Sequence, residues 1–185
     1  MKVIAIFAAT TLAATTAFAD GHQDRTGWPE SFTVATASQG GTYFAYGSSW
    51  ANLVAEELGL TGGGEVTGGP GQNMALVHTS DAQFGMTTMG SATEAIAGVS
   101  PIAPGLAITN ACAMFPMYQT PFSVTALSSS RITTIADIPA GARIGFGPAG
   151  STSDTYFPRM MASLDVEFDR RNGSRATLVA SFRTV

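Results

Sequence analysis

Three stretches of this sequence combine glycine with side-chain hydroxyls where an extended run ends. They are Ser38-Gln39-Gly40-Gly41-Thr42-Tyr43, Thr87-Thr88-Met89-Gly90-Ser91, and residues 147–154, GPAGSTSD. Glycine lets backbone approach a ligand closely, and a helix that follows presents unpaired N–H groups and a partial positive charge. Such turns hold a carboxylate or phosphate; they do not react with it. The same residues also make ordinary strand-to-helix turns, with Ser or Thr as N-caps. One turn alone favours that plainer role. Three on one predicted sheet edge bring ligand binding level with it.

Reactive groups are scarce. None of the turns is a P-loop, because no lysine follows the glycines, and no G-x-S-x-G elbow occurs. His22 lies in a polar lead-in, and His78 lies on a predicted helix beside Thr79-Ser80-Asp81, either as a base or as a solvated helix-face residue. One cysteine and two distant histidines make no zinc site, so no metal or cofactor is expected. Cys112, in the apolar run 106–115, reads as a buried small hydrophobe. Of the adjacent Glu56 and Glu57, Glu56 at least lies on the polar helix face, away from any predicted cleft. Tyr43 and Phe44 follow the first turn directly, as Tyr156 follows the third. Either could pack over a ligand, and Phe44 equally suits a core. This inventory is that of a receptor, with a small exported serine hydrolase using Ser38 or Ser151 with His78 as the competing reading.

Charge narrows the partners. Of 185 residues, 9 are Lys or Arg and 13 Asp or Glu, for a net charge of −4. So sparse a positive charge offers nucleic acid no footprint. The lone lysine is Lys2, and four of the eight arginines, Arg170, Arg171, Arg175 and Arg183, fall in the last 16 residues. Lys2, the uncharged run 3–18 and the small-x-small Ala17-Phe18-Ala19 have the layout of a secretory signal peptide, cleaved after Ala19. A membrane anchor is the alternative, but this Thr-rich run of 16 residues falls short of the roughly 20 apolar residues that span a bilayer. The mature chain would have a net charge of −5.

The elements that must position these turns follow from periodicity. Residues 31–36, SFTVAT, alternate as a strand. Over 43–58 the period becomes helical, with Tyr46, Trp50, Leu53, Val54 and Leu58 on one face and Gly59 as the stop. A short strand at 65–67, the turn Gly68-Gly69-Pro70-Gly71, a helix over 72–79 and a strand over 82–87 come next. Further strands are expected at 106–113, 122–127 and 143–146, a helical turn at 135–139, and a helix carrying Phe157, Met160, Met161 and Leu164. Strands alternating with helices imply βαβ units and a parallel sheet.

Three segments, in this order, resemble the TAXI-family solute receptors of TRAP transporters. Residues 34–59, VATASQGGTYFAYGSSWANLVAEELG, are similar to that family's T-G-x-x-G-G-(T/V)-Y turn and helix. Residues 66–88, VTGGPGQNMALVHTSDAQFGMTT, resemble its T-G-G-x-x-x-N segment. Residues 135–152, IADIPAGARIGFGPAGST, resemble its later L-A-D-L-x-G stretch ending in G-x-x-G-S. The resemblance implies an α/β, periplasmic binding protein type II-like fold. Two lobes built of βαβ units would close by a hinge on a small anionic or zwitterionic solute, an organic acid or glutamate-like amino acid, for delivery to the membrane subunits of a TRAP permease. A sensor subunit of the same fold is the further alternative.

Carried over by position, Ser38, Gly40, Gly41, Thr42 and Tyr43 would form the first lobe's ligand loop. Gln72 and Asn73 would flank it at the second turn, and Thr88 and Met89 at the third. Gly147, Gly150, Ser151 and Thr152 would be the second lobe's share. The implied organisation is a signal peptide at 1–19, lobe one at 20–117, the start of lobe two at 118–172, and a divergent tail at 173–185. Lobe two would be incomplete, the mark of a truncated or frame-disrupted end, and the arginine cluster reads as sequence foreign to the fold. Pro158 also departs from the pattern; a helix starting near Thr155 would accommodate it.

Overall fold

The computed structural model describes residues 25–173, so the expected signal peptide, His22, Arg175, Arg183 and nearly all of the expected tail lie outside it. Two α/β units follow one another along the chain.

In the first unit, β1 (Ser31–Ala35) lies between β2 (Thr61–Glu65) and β3 (Phe84–Gly85), all parallel. Phe32 and Val34 point into the core. Between β1 and β2 runs α1 (Thr42–Leu58), stopped by Gly59 in the left-handed conformation at φ +64°. The buried face of α1 is Tyr43, Gly47 and Ala51, a rotation from the expected one that leaves Tyr46 and Leu53 exposed. Gly47 dictates this rotation: a Cβ there would sit 2.6 Å from Thr36 Cγ2. Helix and sheet meet through the glycine, and the larger residues flank it.

The second strand lies earlier than the expected 65–67. Its sequence, TGGGE, lacks β propensity, yet it pairs with β1 from Ser31↔Thr61 to Ala35↔Glu65. Here the glycines serve packing. A Cβ at Gly62 would fall 2.3 Å from the Phe32 ring, and one at Gly64 equally close to Ser48 Oγ.

Next come α2 (Pro70–His78), with proline at its first position, and α3 (Met89–Ile96), capped by Thr88. Proline suits a helix start, where its missing N–H costs no bond. The residue pattern gives no sign of α3, because Gly90 and Ser91 in its first turn look like loop. The strands expected at 106–113 and 122–127 do not form, since among the described residues no strand edge pairs with them, and backbone without a ladder partner does not settle as β structure. Ile108 is buried against Met74 and Ala95, but most of this stretch is exposed, Leu127 by 71%. Cys112 is exposed as well, which corrects its expected burial.

The second unit holds β4 (Ala142–Gly145), α4 (Thr152–Ala162) and β5 (Phe168–Arg171), with β4 and β5 parallel. Ile138, Phe146, Phe157 and Met161 form its core. Ser151 caps α4, so the helix does not wait for Thr155 and Pro158 lies within it, forgoing the bond to the Asp154 carbonyl. Arg170 and Arg171 are not foreign to the fold: they end β5, and Arg170 pairs with Asp154. The mixed α/β architecture with parallel strands is that of a periplasmic binding protein, present in part.

Candidate ligand-binding site

The three strand ends of the first unit are tied together by one side chain. Asn73, fully buried on the first turns of α2, donates through Nδ2 to the Thr36 carbonyl at 2.6 Å and the Met86 carbonyl at 2.7 Å. Its Oδ1 accepts from the Thr67 hydroxyl at 2.6 Å. Thr36, Thr67 and Met86 each follow one of the three strands closely, so Asn73 sits under the sheet's carboxyl edge with its polar atoms committed to protein.

The glycine turn after β1 lies over that edge. Gly40, at φ +78°, adopts a conformation that disfavours any side chain. The Gly41 N–H closes the turn on the Ser38 carbonyl at 3.1 Å. No side chain caps α1, so its first-turn amides remain without a helical partner. Ser38 and Gly41 are half-buried, while Gly40 and Thr42 are exposed. Tyr43 turns inward, and its hydroxyl donates to the Thr87 carbonyl at 3.0 Å. Burial, with the nearby Tyr118 as a smaller contributor, pushes the Tyr43 phenol up to about 12.

Around these lie the other candidates. The Gln72 side chain is exposed and accepts the Gly68 N–H at 2.6 Å. Thr88 caps α3 by accepting the Ser91 N–H at 3.3 Å, and Met89 is 84% exposed. The structure brings Tyr43, Gln72, Asn73 and Thr88 to one edge, alongside the 38–42 turn.

The second unit's turn meets that edge backbone to backbone. A Cβ at Gly68 would lie 2.7 Å from the Ala149 carbonyl oxygen, and one at Gly69 3.5 Å from Ser151 Cα. Ile102 touches both turns, 2.8 Å from where a Cβ would stand at Gly71 and again at Gly150. Gly147 and Gly150 are both left-handed, at φ +79°. The Ser151 hydroxyl donates to the Phe146 carbonyl at 3.0 Å and accepts the Asp154 N–H at 3.3 Å. Ser151 and Thr152 are half-buried.

Asp154 is the residue the pattern of turns passes over. Its carboxylate accepts the Gly150 N–H at 2.9 Å, the Arg170 guanidinium and the Asn172 amide. Burial alone would raise its pKa, but those three donors outweigh it and hold the carboxyl below its ordinary value. Asp154 thus supplies α4 with a negative charge from within. Its place three residues after the capping Ser151 is the visible signal, an S-x-x-D capping pattern.

The geometry separates Ser151 from His78, the pair that one form of the hydrolase reading needs. Ser151 lies near the start of α2, against Gly69, whereas His78 ends that helix, about 12 Å away for nine residues. His78 Nδ1 instead bonds Asn110 Oδ1 at 2.7 Å, and Asn110 Nδ2 donates to the His78 carbonyl at 3.1 Å. No group of His, Cys, Asp and Glu among the described residues is arranged to hold a metal.

Comparison with known proteins adds one finding: residues 34–180 match the family model described as NMT1-like. No curated protein matches the chain. The family match starts within β1, covers both α/β units and continues past the last described residue, and the chain therefore belongs to the NMT1-like family, a family of periplasmic binding-protein type.

Proposed function

We propose that this protein is an exported solute receptor of the TAXI kind, which captures a small organic acid or glutamate-like amino acid and hands it to the membrane subunits of a TRAP permease. The observation that carries this reading is the sheet edge held by Asn73, over which an uncapped α1 and the Ser38–Thr42 hydroxyls stand with no reactive partner beside them. Such an edge suits a carboxylate, bound by backbone N–H and hydroxyl groups. Ser38, Gly40, Gly41, Thr42 and Thr88 would make the anion's contacts, with Gln72 and Met89 at the rim. Tyr43 and Asn73 would hold those groups in place. Gly147, Gly150, Ser151 and Thr152 would cover the ligand from the second unit. Because Asp154 already occupies the start of α4, the ligand's carboxylate belongs to the first unit and its ammonium or neutral part to the second.

Export, cleavage after Ala19 and residence in the periplasm complete the reading, as does a lobe boundary near 117–118. The family membership supports it. The test is thermal unfolding of the chain from Asp20 to Val185 with L-glutamate, small dicarboxylates and uncharged sugars. An acid present at 100 times its Kd should stabilise by about 2.7 kcal/mol and raise the midpoint, while sugars should not. A flat response to every acid would overturn the proposal. A cooperative melt would also count against a truncated, poorly folding chain.

A further inference from the structure

The two α/β units touch a second time, between α3 and α4. Glu94 on α3 pairs with Arg159 on α4 at 2.6 Å, 65 residues apart in sequence. One turn before Glu94, Gly90 faces Tyr156: a Cβ at Gly90 would lie 2.3 Å from the tyrosine oxygen. Gly90 and Glu94 are four apart on α3, and Tyr156 and Arg159 three apart on α4, so each pair shares one helix face. The Arg159 guanidinium lies 5.5 Å from the Tyr156 ring centre. Burial first, and the Glu94 charge second, raise the Tyr156 pKa, in keeping with a hydroxyl packed into this contact.

We infer that this α3–α4 contact is a conformational latch. Glu94 with Arg159, and Tyr156 seated on Gly90, hold the two units together and separate when the units part. The strength of the contact suits a reversible device. Arg159 is 53% exposed and Glu94 19%, so water and salt screen their attraction. Tyr156 on Gly90 is a fit of shape, available only while residue 90 lacks a side chain. Neither interaction requires a bound ligand, so the latch stands or falls independently of which solute is captured.

The experiment measures the distance between the units in the ligand-free full chain. Spin labels at Leu53→Cys on α1 and Leu164→Cys after α4, both exposed positions, are read by pulsed electron resonance in a Cys112→Ser background. Glu94→Gln and Arg159→Ala should each raise the long-distance population roughly two- to fivefold, the range of an exposed ion pair. The charge-reversed pair Glu94→Arg/Arg159→Glu should restore the wild-type distribution. Gly90→Leu should open the units further while strengthening α3, since glycine is the poorer helix former. Adding Tyr156→Ala to Gly90→Leu should close them again. Unchanged distances in both Arg159→Ala and Gly90→Leu would overturn the latch. So would opening that neither compensating pair reverses, or loss of the far-ultraviolet helix signal in Gly90→Leu, which would make the contact a condition of folding.

Discussion

The side-chain amide of Asn73 donates to the backbone carbonyl of Thr36 at 2.6 Å, fastening the first turns of α2 to the end of β1. The same nitrogen reaches Met86 after β3, and the oxygen meets Thr67 after β2. A single buried amide therefore sets the relative height of three strand ends, on which any ligand contact from the 38–43 turn depends. An amide suits this place because it offers two donors and an acceptor in one rigid plane.

Asn73→Ala should destabilise the protein by about 3 kcal/mol, because two buried carbonyls and a hydroxyl lose their partner together. Asn73→Asp keeps the shape but turns the donors into an acceptor facing carbonyls, and should cost at least as much. Urea unfolding followed by circular dichroism checks both. A loss under about 0.5 kcal/mol would show that the strand ends hold without the clamp.

Tyr43→Phe should cost about 1 kcal/mol by leaving the Thr87 carbonyl unpaired. It should also remove the last tyrosine step from an alkaline absorbance titration. Tyr43 keeps its proton to about 12 against an ordinary 10.0. Its contribution is thus complete below pH 10 and lost as pH rises through about 12. A titration whose last step is unaltered by the substitution would refute this assignment.

Asp154 contributes on the acid side, as does Asp137, whose carboxyl is lowered to about 2 by hydrogen bonds from Thr133 and Thr134. The Asp154 carboxyl lies below the ordinary 3.8 in the folded chain, so its contribution is present above pH 3.8 and lost as pH falls through the lowered value. Asp154→Asn should lower stability at neutral pH and flatten the decline in acid. Comparing urea midpoints of the two chains from pH 7 down to 3 measures this. Parallel curves would dissociate Asp154 from the decline.

Pro158→Ala should stabilise α4 by roughly 1–3 kcal/mol, because it restores an N–H for the Asp154 carbonyl and relieves the ring's clash with the preceding turn. The gain should appear as a higher unfolding midpoint. An unchanged or lower midpoint would show that the ring's packing outweighs its backbone cost.

The alternation of 31–35, the helical period of 43–58 and the left-handed stop at Gly59 are decided by residues within one turn of each other, and these were legible from the chain alone. So were the glycine turns after β1 and β4. What the sequence could not reveal depended on partners far along the chain. TGGGE reads as loop until Phe32 and Ser48 occupy the space above its glycines. Residues 106–113 and 122–127 read as strands, but a strand exists only beside another. The three partners of Asn73, at Thr36, Thr67 and Met86, meet it only after folding.

The arginines mark the same division. Their crowding toward the C-terminus is plain in the sequence and looked foreign to the fold, whereas Arg170 turns out to neutralise Asp154 from β5. By itself the sequence determined the kind of elements and the chemistry at their junctions, since periodicity and turn formation are local. Only the tertiary structure decided which polar groups are spent on one another, and which turns of the two units come to face each other.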